Sequence, residues 1–162
     1  MVRKVYSYKE GKQYMIRAGI IGATGYAGAE LVRLLARHQE AEIVWLGSRS
    51  YTGDPFSSVY GNMFDIVDEK CLDDNMEELA EQADVIFTAT PQGYCASMIS
   101  DAMLEKCKVI DLSADFRLKD VSVYEKWYKI THAAPSYLPE AVYGLCEINR
   151  GSIAGSRIVA NP

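Results

Sequence analysis

Three glycines spaced Gly-x-x-Gly-x-x-Gly, Gly22, Gly25 and Gly28, follow the apolar run Ala18-Gly19-Ile20-Ile21 without a gap. A helical pattern starts directly after them, with Leu31, Leu34 and Leu35 on one face and Glu30, Arg33 and Arg37 off it. Strand, tight turn and helix start, in that order, make the context in which such glycines bind a dinucleotide. A turn without Cβ atoms lets backbone N–H groups approach a pyrophosphate, and the unpaired N–H groups of the helix N-terminus carry partial positive charge. Gly28, one turn on, allows the helix to pack tightly on the sheet. The motif alone is equally compatible with a plain βα turn, so its surroundings have to decide.

In dinucleotide folds an acidic residue that grips the adenosine ribose stands about 20 residues after the glycines, at the end of the second strand. That count from Gly28 arrives at Ser48, after the apolar run Ile43-Val44-Trp45-Leu46, and the neighbour is Arg49. A carboxylate there repels a 2′-phosphate, whereas a hydroxyl beside a guanidinium binds one through charge-assisted hydrogen bonds. The pair therefore points to NADP(H) over NAD(H); the alternative is an exposed arginine in a polar loop.

The rest of the chain alternates strand and helix. Strands are expected over 18–21, 43–47, 84–90, 108–112 and 157–160, with a short one over 64–67. Helices are expected over 26–38, from the N-cap candidates Asp73-Asp74-Asn75 through Glu81, and over 93–106. Residues 50–61, with Gly53, Pro55 and Gly61, read as a loop. This is the pattern of an α/β domain, a doubly wound, Rossmann-type, mostly parallel sheet with helices on both faces. At 162 residues the length fits one such domain, with residues 15–162 forming it and residues 1–14 an N-terminal extension. Val5, Tyr6 and Tyr8 leave open a short edge strand in that extension.

In such sheets ligands sit beyond the carboxyl ends of the strands. Residues 22–28, 48–53, 90–93 and 112–117 are thus the candidate loops. Gly22, Thr24, Gly25, Tyr26 and Ala27 are expected around the pyrophosphate, Ser48 and Arg49 at the 2′-phosphate, and Thr90, Pro91, Gly93 and Ser113 at the nicotinamide end. Thr90-Pro91 equally fits a plain proline turn. Asp115 and Arg117, two apart, fit a surface ion pair or a ligand contact, with the surface pair the commoner outcome. Trp127-Tyr128 reads as core or interface, the stretch from Tyr143 as a bend into the last strand, and Glu147 as an exposed loop residue.

Composition excludes more than it assigns. A formal net charge of −5 with no basic cluster gives no nucleic-acid or anionic-membrane partner, and no apolar run reaches the length of a membrane span. Cys71, Cys95, Cys107 and Cys146 lack metal-type spacing, and His38 and His132 are the only histidines, so no metal site is expected. Reduced thiols fit a cytoplasmic protein.

Several stretches together resemble one family, N-acetyl-gamma-glutamyl-phosphate reductase, a relative of aspartate-semialdehyde dehydrogenase. They are Gly22-Ala23-Thr24-Gly25-Tyr26-Ala27-Gly28-Ala29-Glu30-Leu31, Ser48-Arg49-Ser50-Tyr51-Thr52-Gly53, and Ile110-Asp111-Leu112-Ser113-Ala114-Asp115-Phe116-Arg117. Ala141-Val142-Tyr143-Gly144-Leu145 with Glu147-Ile148-Asn149-Arg150, and Val159-Ala160-Asn161-Pro162, complete the set. The resemblance implies NADPH-dependent reduction of an acyl phosphate to a semialdehyde through a cysteine thioester, in an enzyme that works as a homo-oligomer. It implies that the nucleophile stands in a Gly-Cys pair directly after Asn161-Pro162, so none of the four cysteines here is assigned that role and no catalytic residue is named. Isolated activity is not expected, and an exposed apolar patch is expected where a substrate domain packs. Gln92 and Cys146 depart from the family, whose members often carry His and usually Pro there. Two alternatives stay open: a non-enzymatic NADP(H)-binding sensor, and a sibling reductase of the lysine or aspartate-semialdehyde type.

Overall fold

In the computed structural model, which describes residues 7–9 and 12–162 and the side chains from Tyr14 onward, six parallel strands form one sheet. A two-stranded antiparallel ribbon precedes it, β1 (Ser7–Lys9) with β2 (Lys12–Tyr14). The anticipated edge strand is therefore a separate hairpin, in which Tyr8 takes part; Val5 and Tyr6 lie outside the described residues.

The sheet strands are β3 (Ile16–Ile21), β4 (Ala41–Gly47), β5 (Val85–Thr88), β6 (Lys108–Asp111), β7 (Val142–Tyr143) and β8 (Ile158–Ala160). Their order across the sheet is β4-β3-β5-β6-β8-β7. The chain leaves β3 to one side for β4 and returns past it to β5, so the order reverses at β3. A parallel sheet covered on both faces demands apolar runs rather than alternation, and β3 shows why. Ile20 and Ile21 are both fully buried, but in different clusters on opposite faces. Ile21 packs with Trp45, Met76, Leu79, Ile86, Val109, Phe116 and Ile158. Ile20 packs with Val32, Leu46, Phe56 and Met63. Burying the isoleucines contributes roughly 1.5–3 kcal/mol each.

The helices are α1 (Tyr26–Leu35), α2 (Phe56–Val59), α3 (Met76–Gln82), α4 (Tyr94–Met98), α5 (Asp101–Leu104), α6 (Val121–Tyr128) and α7 (Cys146–Gly155). Several depart from the sequence expectations. The buried line of α1 runs through Gly28 and Val32, with Leu31 and Leu35 partly buried, whereas Leu34 is 53% exposed. The helix expected over 93–106 is two short ones. Ile99 turns extended and Ser100 caps α5, its hydroxyl accepting from Met103 N at 3.3 Å. Residues 64–67 form no strand: Asp65 has φ 57, Phe64 and Ile66 face solvent, and Met63 and Val67 are buried as neighbours across one turn. The loop over 50–61 contains α2, anchored by buried Phe56. Asn75 caps α3 as expected, accepting from Glu78 N at 3.2 Å. Between Tyr143 and β8 the chain forms α7, and Glu147 is exposed in its first turn. Of the core-or-interface alternatives for Trp127, its exposure on α6 removes the core.

Opposite the loops at the carboxyl ends, Asp84 ties β3 to β5. Its carboxylate accepts from Arg17 N and Nη2 at 2.8 Å and Nε at 3.2 Å, while Asp84 N donates to Arg17 O. Burial acts to raise the Asp84 carboxyl, but the Arg17 donors outweigh it and hold it below the usual carboxylate value. A depressed carboxylate contributes stability that is present above its unfolded pKa and is lost as pH falls through its lower folded value. Asp84→Asn is therefore expected to cost about 1 kcal/mol at neutral pH and to flatten the stability profile below about pH 4. Urea titrations from pH 7 to pH 3 check this; equal slopes for both proteins would remove Asp84 from acid denaturation.

Candidate dinucleotide site

Where the strand order reverses, the loops after β3, β4 and β5 open into one cleft. Gly22, Thr24, Gly25, Ser48, Arg49, Ser50, Asp74, Ala89, Thr90, Pro91 and Tyr94 line it. The glycine turn is built against the end of β5. Gly22 has φ 77, and a Cβ on it would lie 2.4 Å from Ala89 O, so both its conformation and its space exclude a side chain. Ala23 N donates to Gly47 O and Ala89 N to Ile21 O, which locks the turn to the strands beside it. Gly25 is the N-cap of α1, and no side chain caps that helix. The N–H groups of its first turn, those of Tyr26, Ala27 and Gly28, have no partner within the helix. Tyr26 itself is 97% exposed.

The second wall is Ser48 and Arg49. Ser48 is buried, and its hydroxyl shares a 2.7 Å hydrogen bond with that of Thr24, joining the glycine turn to the end of β4. Tyr60 adds another tie, donating its hydroxyl to Thr24 O at 2.9 Å. Arg49 is exposed, its Nε 3.1 Å from Asp74 Oδ2 and its guanidinium carbon 4.7 Å from the centre of the Tyr94 ring. A carboxylate therefore does stand near the end of β4, contributed by the segment before α3. In the sequence Asp74 stands only as a cap candidate and Tyr94 carries no functional signal. Linear spacing carries no signal for either, because long-range pairing brings them in.

The third wall is Thr90-Pro91. Thr90 Oγ1 is buried without a hydrogen-bond partner, as is Asp74 Oδ1. Orphaned buried polar atoms are rare enough in native proteins to ask for an explanation. Gly93 and Ser113 lie outside the lining, and their polar groups are engaged. Gly93 N donates to Asp115 Oδ1 at 2.7 Å; Ser113 N and Oγ donate to Asp111 at 3.1 and 2.6 Å. Thr88 Oγ1 also donates to Asp111, whose carboxyl is raised by burial.

Asp115 and Arg117 form no surface pair. Asp115 is fully buried, accepting from Gly93 N, Ala96 N and the Tyr124 hydroxyl. Arg117 donates Nε to Asn161 O at 2.8 Å and Nη2 to Leu112 O at 2.7 Å, stapling the loop after β6 to residue 161. His132 is buried against this cluster. Its Nδ1 accepts from Ala134 N, so Nε2 carries the proton and donates to Asp115 O at 2.6 Å.

Three of the cysteines are too buried for a nucleophilic role. Burial raises the Cys71 thiol, lifts Cys95 well above its ordinary value and pushes Cys107 up to about 11. Thiols so placed stay protonated and unreactive at neutral pH. Cys146 is exposed at the start of α7. Among the described residues no cluster of His, Cys, Asp or Glu could hold a metal ion, and no helix is long and apolar enough to cross a membrane.

Residues 17–156 match the family described as semialdehyde dehydrogenase, NAD binding domain. The chain belongs to this family. N-acetyl-gamma-glutamyl-phosphate reductase from Lachnospira eligens is 68% identical over 149 residues, and the protein of that name from Lachnoclostridium phytofermentans 62% over 148. Each alignment takes in 91% of this chain and 43% of the relative, so the chain spans less than half the length of these curated relatives. Among solved structures, aspartate semialdehyde dehydrogenase II from Vibrio cholerae, complexed with ASA, covers 91% of this chain and 42% of that one. Its TM-score of 0.61 at 20% identity is a likeness of fold. A semialdehyde dehydrogenase NAD-binding domain accounts for the glycine turn, the uncapped helix and the cleft at the switch point together.

Proposed function

We propose that this chain is the NADP-binding portion, residues 15–162 with an N-terminal extension over 1–14, of an NADPH-dependent reductase. The reaction is conversion of N-acetyl-gamma-glutamyl phosphate to N-acetylglutamate semialdehyde with release of phosphate. The observation that carries the reading is the Thr24–Ser48 hydrogen bond, which sets the glycine turn and Arg49 on one cleft. The dinucleotide fits this donor set. Backbone N–H groups of Gly25, Tyr26 and Ala27 meet the pyrophosphate, with Gly22 and Thr24 shaping the turn. Ser48 and Arg49 hold the 2′-phosphate. Thr90, through its orphaned Oγ1, and Pro91 border the nicotinamide end. Gly93 and Ser113 support that end from behind, since their polar groups belong to Asp115 and Asp111.

Bound NADPH supplies a hydride for reduction of a carbonyl carbon. The residues of this chain bind and orient; the thiolate that such chemistry calls for is none of the four cysteines here. The names of the relatives support an enzyme over a cofactor-sensing module, and an acetylglutamyl over an aspartyl or lysine-pathway substrate. The four unpaired cysteines fit a reducing cytoplasm, and the complete enzyme is proposed to act as a homo-oligomer.

Parallel calorimetric titrations with NADPH and NADH test the cofactor reading, with tighter NADPH binding expected. Arg49→Asp is expected to weaken NADPH by about a hundredfold, ~2.7 kcal/mol, through loss of a charge-assisted contact and added repulsion. NADH is expected to change by no more than about twofold. Equal losses for the two would remove Arg49 from the 2′-phosphate.

A further inference from the structure

The acid that linear spacing does not supply at the end of β4 arrives there from another segment. Ser48 N donates to Leu72 O at 2.9 Å and Leu72 N to Leu46 O at 2.7 Å, so the chain before α3 runs along the carboxyl end of β4. Asp74 follows, with a side chain only 9% exposed. Its Oδ1 occupies space that Gly47 leaves open, since a Cβ on Gly47 would lie 2.7 Å from it. Its Oδ2 faces Arg49 Nε at 3.1 Å. Tyr94 closes the arrangement from α4, its ring under the guanidinium and its hydroxyl donating to Asp74 O at 3.4 Å.

One edge and one face of the Arg49 fork are thus held by neighbours. Arginine recognises phosphate best through its planar fork, and a preorganised fork loses less freedom per bond formed. A contact through Nε leaves the terminal edge for the ligand. We propose that Asp74, together with Tyr94, positions Arg49 for the 2′-phosphate and so helps to select NADPH over NADH. The inference rests on the proposed occupancy of the cleft by NADPH.

A competing effect has the opposite sign. The Asp74 carboxylate itself repels a 2′-phosphate, and it prevails unless Arg49 neutralises it at close range. Calorimetry with NADPH and NADH on Asp74→Asn separates the two. Positioning predicts that NADPH weakens by about fivefold, the upper end for a partly exposed ion pair, while NADH is unchanged. In an Arg49→Ala background the same substitution is expected to add nothing, the signature of one coupled unit. Tyr94→Leu, which removes the ring and leaves the carboxylate, is expected to lower NADPH affinity in the same selective way.

An unchanged or tighter NADPH complex in Asp74→Asn overturns the proposal, as does equal weakening of both cofactors. In either case the cofactor reading survives if the unsubstituted chain prefers NADPH and Arg49→Ala abolishes that preference. An unsubstituted chain without any preference defeats the cofactor reading, and the positioning role with it.

Discussion

Asp115→Asn is expected to be among the most destabilising single-atom exchanges in this chain, costing about 2–4 kcal/mol. The carboxylate is fully buried, and three donors converge on it. Gly93 N and the Tyr124 hydroxyl reach Oδ1, both at 2.7 Å, and Ala96 N reaches Oδ2 at 3.0 Å. An amide keeps one acceptor and turns the other into a donor. Whichever way it rotates, an N–H group of the protein then faces an NH2 group with no water to intervene. The net worth of a hydrogen bond, about 1 kcal/mol, understates such a change, because the desolvation penalty of each stranded group is added. In a chain of this size 1 kcal/mol moves Tm by about 2–4 °C, so a fall of roughly 5–15 °C is expected by circular dichroism. Tyr124→Phe, which removes one donor and leaves the carboxylate two, is expected to cost less, about 1–2 kcal/mol. A loss below about 0.5 kcal/mol for Asp115→Asn, the scatter of ordinary surface changes, would show that the cluster relaxes freely.

The functional consequence lies in what Asp115 holds. Of its two backbone donors, Gly93 is the N-cap of α4 with φ 89 and Ala96 lies in the first turn of that helix. Through its own carbonyl it takes the Nε2 proton of His132. Loop 90–93, which borders the cleft, is therefore set by a residue that never reaches it.

What the sequence makes readable is the part that repeats locally. The apolar runs of β3 and β4 need no partner to be recognised, and the glycine spacing specifies a turn whose geometry Gly22 then satisfies. Ser48 and Arg49 were reachable by counting, because the distance from glycine turn to second strand end is set by one helix. The remainder depends on contacts that cross the chain. Asp115 and Arg117 look like an ion pair only as neighbours; in space each serves a different backbone segment. Helix α7 carries Gly151 and Gly155 and buries none of its residues, so no periodic apolar face announces it. The break at Ile99 arises because Ser100 offers its hydroxyl to a new helix start, a local choice that a continuous apolar pattern hides. Asp74 is the most instructive case, since its local role as a cap candidate masked its position at the cleft.

Gly28→Ala carries the other large expected effect, and two terms of opposite sign decide it. Alanine is favoured over glycine inside a helix by about 1 kcal/mol. Against that, the added Cβ would stand 2.1 Å from Gly22 O and 2.8 Å from Gly22 C and Ala23 Cα, all backbone atoms. The turn has little freedom to yield. Gly22 is already tight against Ala89 O, Ala23 N is bonded to Gly47 O, and Thr24 O accepts from Tyr60. So α1 must move off the sheet, and overpacking of this kind costs about 1–3 kcal/mol or more. The expected result is net destabilisation of about 1–2 kcal/mol in urea titrations. NADPH and NADH are expected to weaken together, because the pyrophosphate cradle is common to both. Gly25→Ala separates fold from site: at φ −75, with its Cβ 3.4 Å from the nearest atom, Gly22 O, it meets ordinary contact. Stability is expected to stay within about 0.5 kcal/mol, while both cofactors lose affinity to a methyl group added to the cleft wall. A Gly28→Ala protein as stable as the original would mean that α1 slides on the sheet at little cost. The glycine would then be there for the ligand alone.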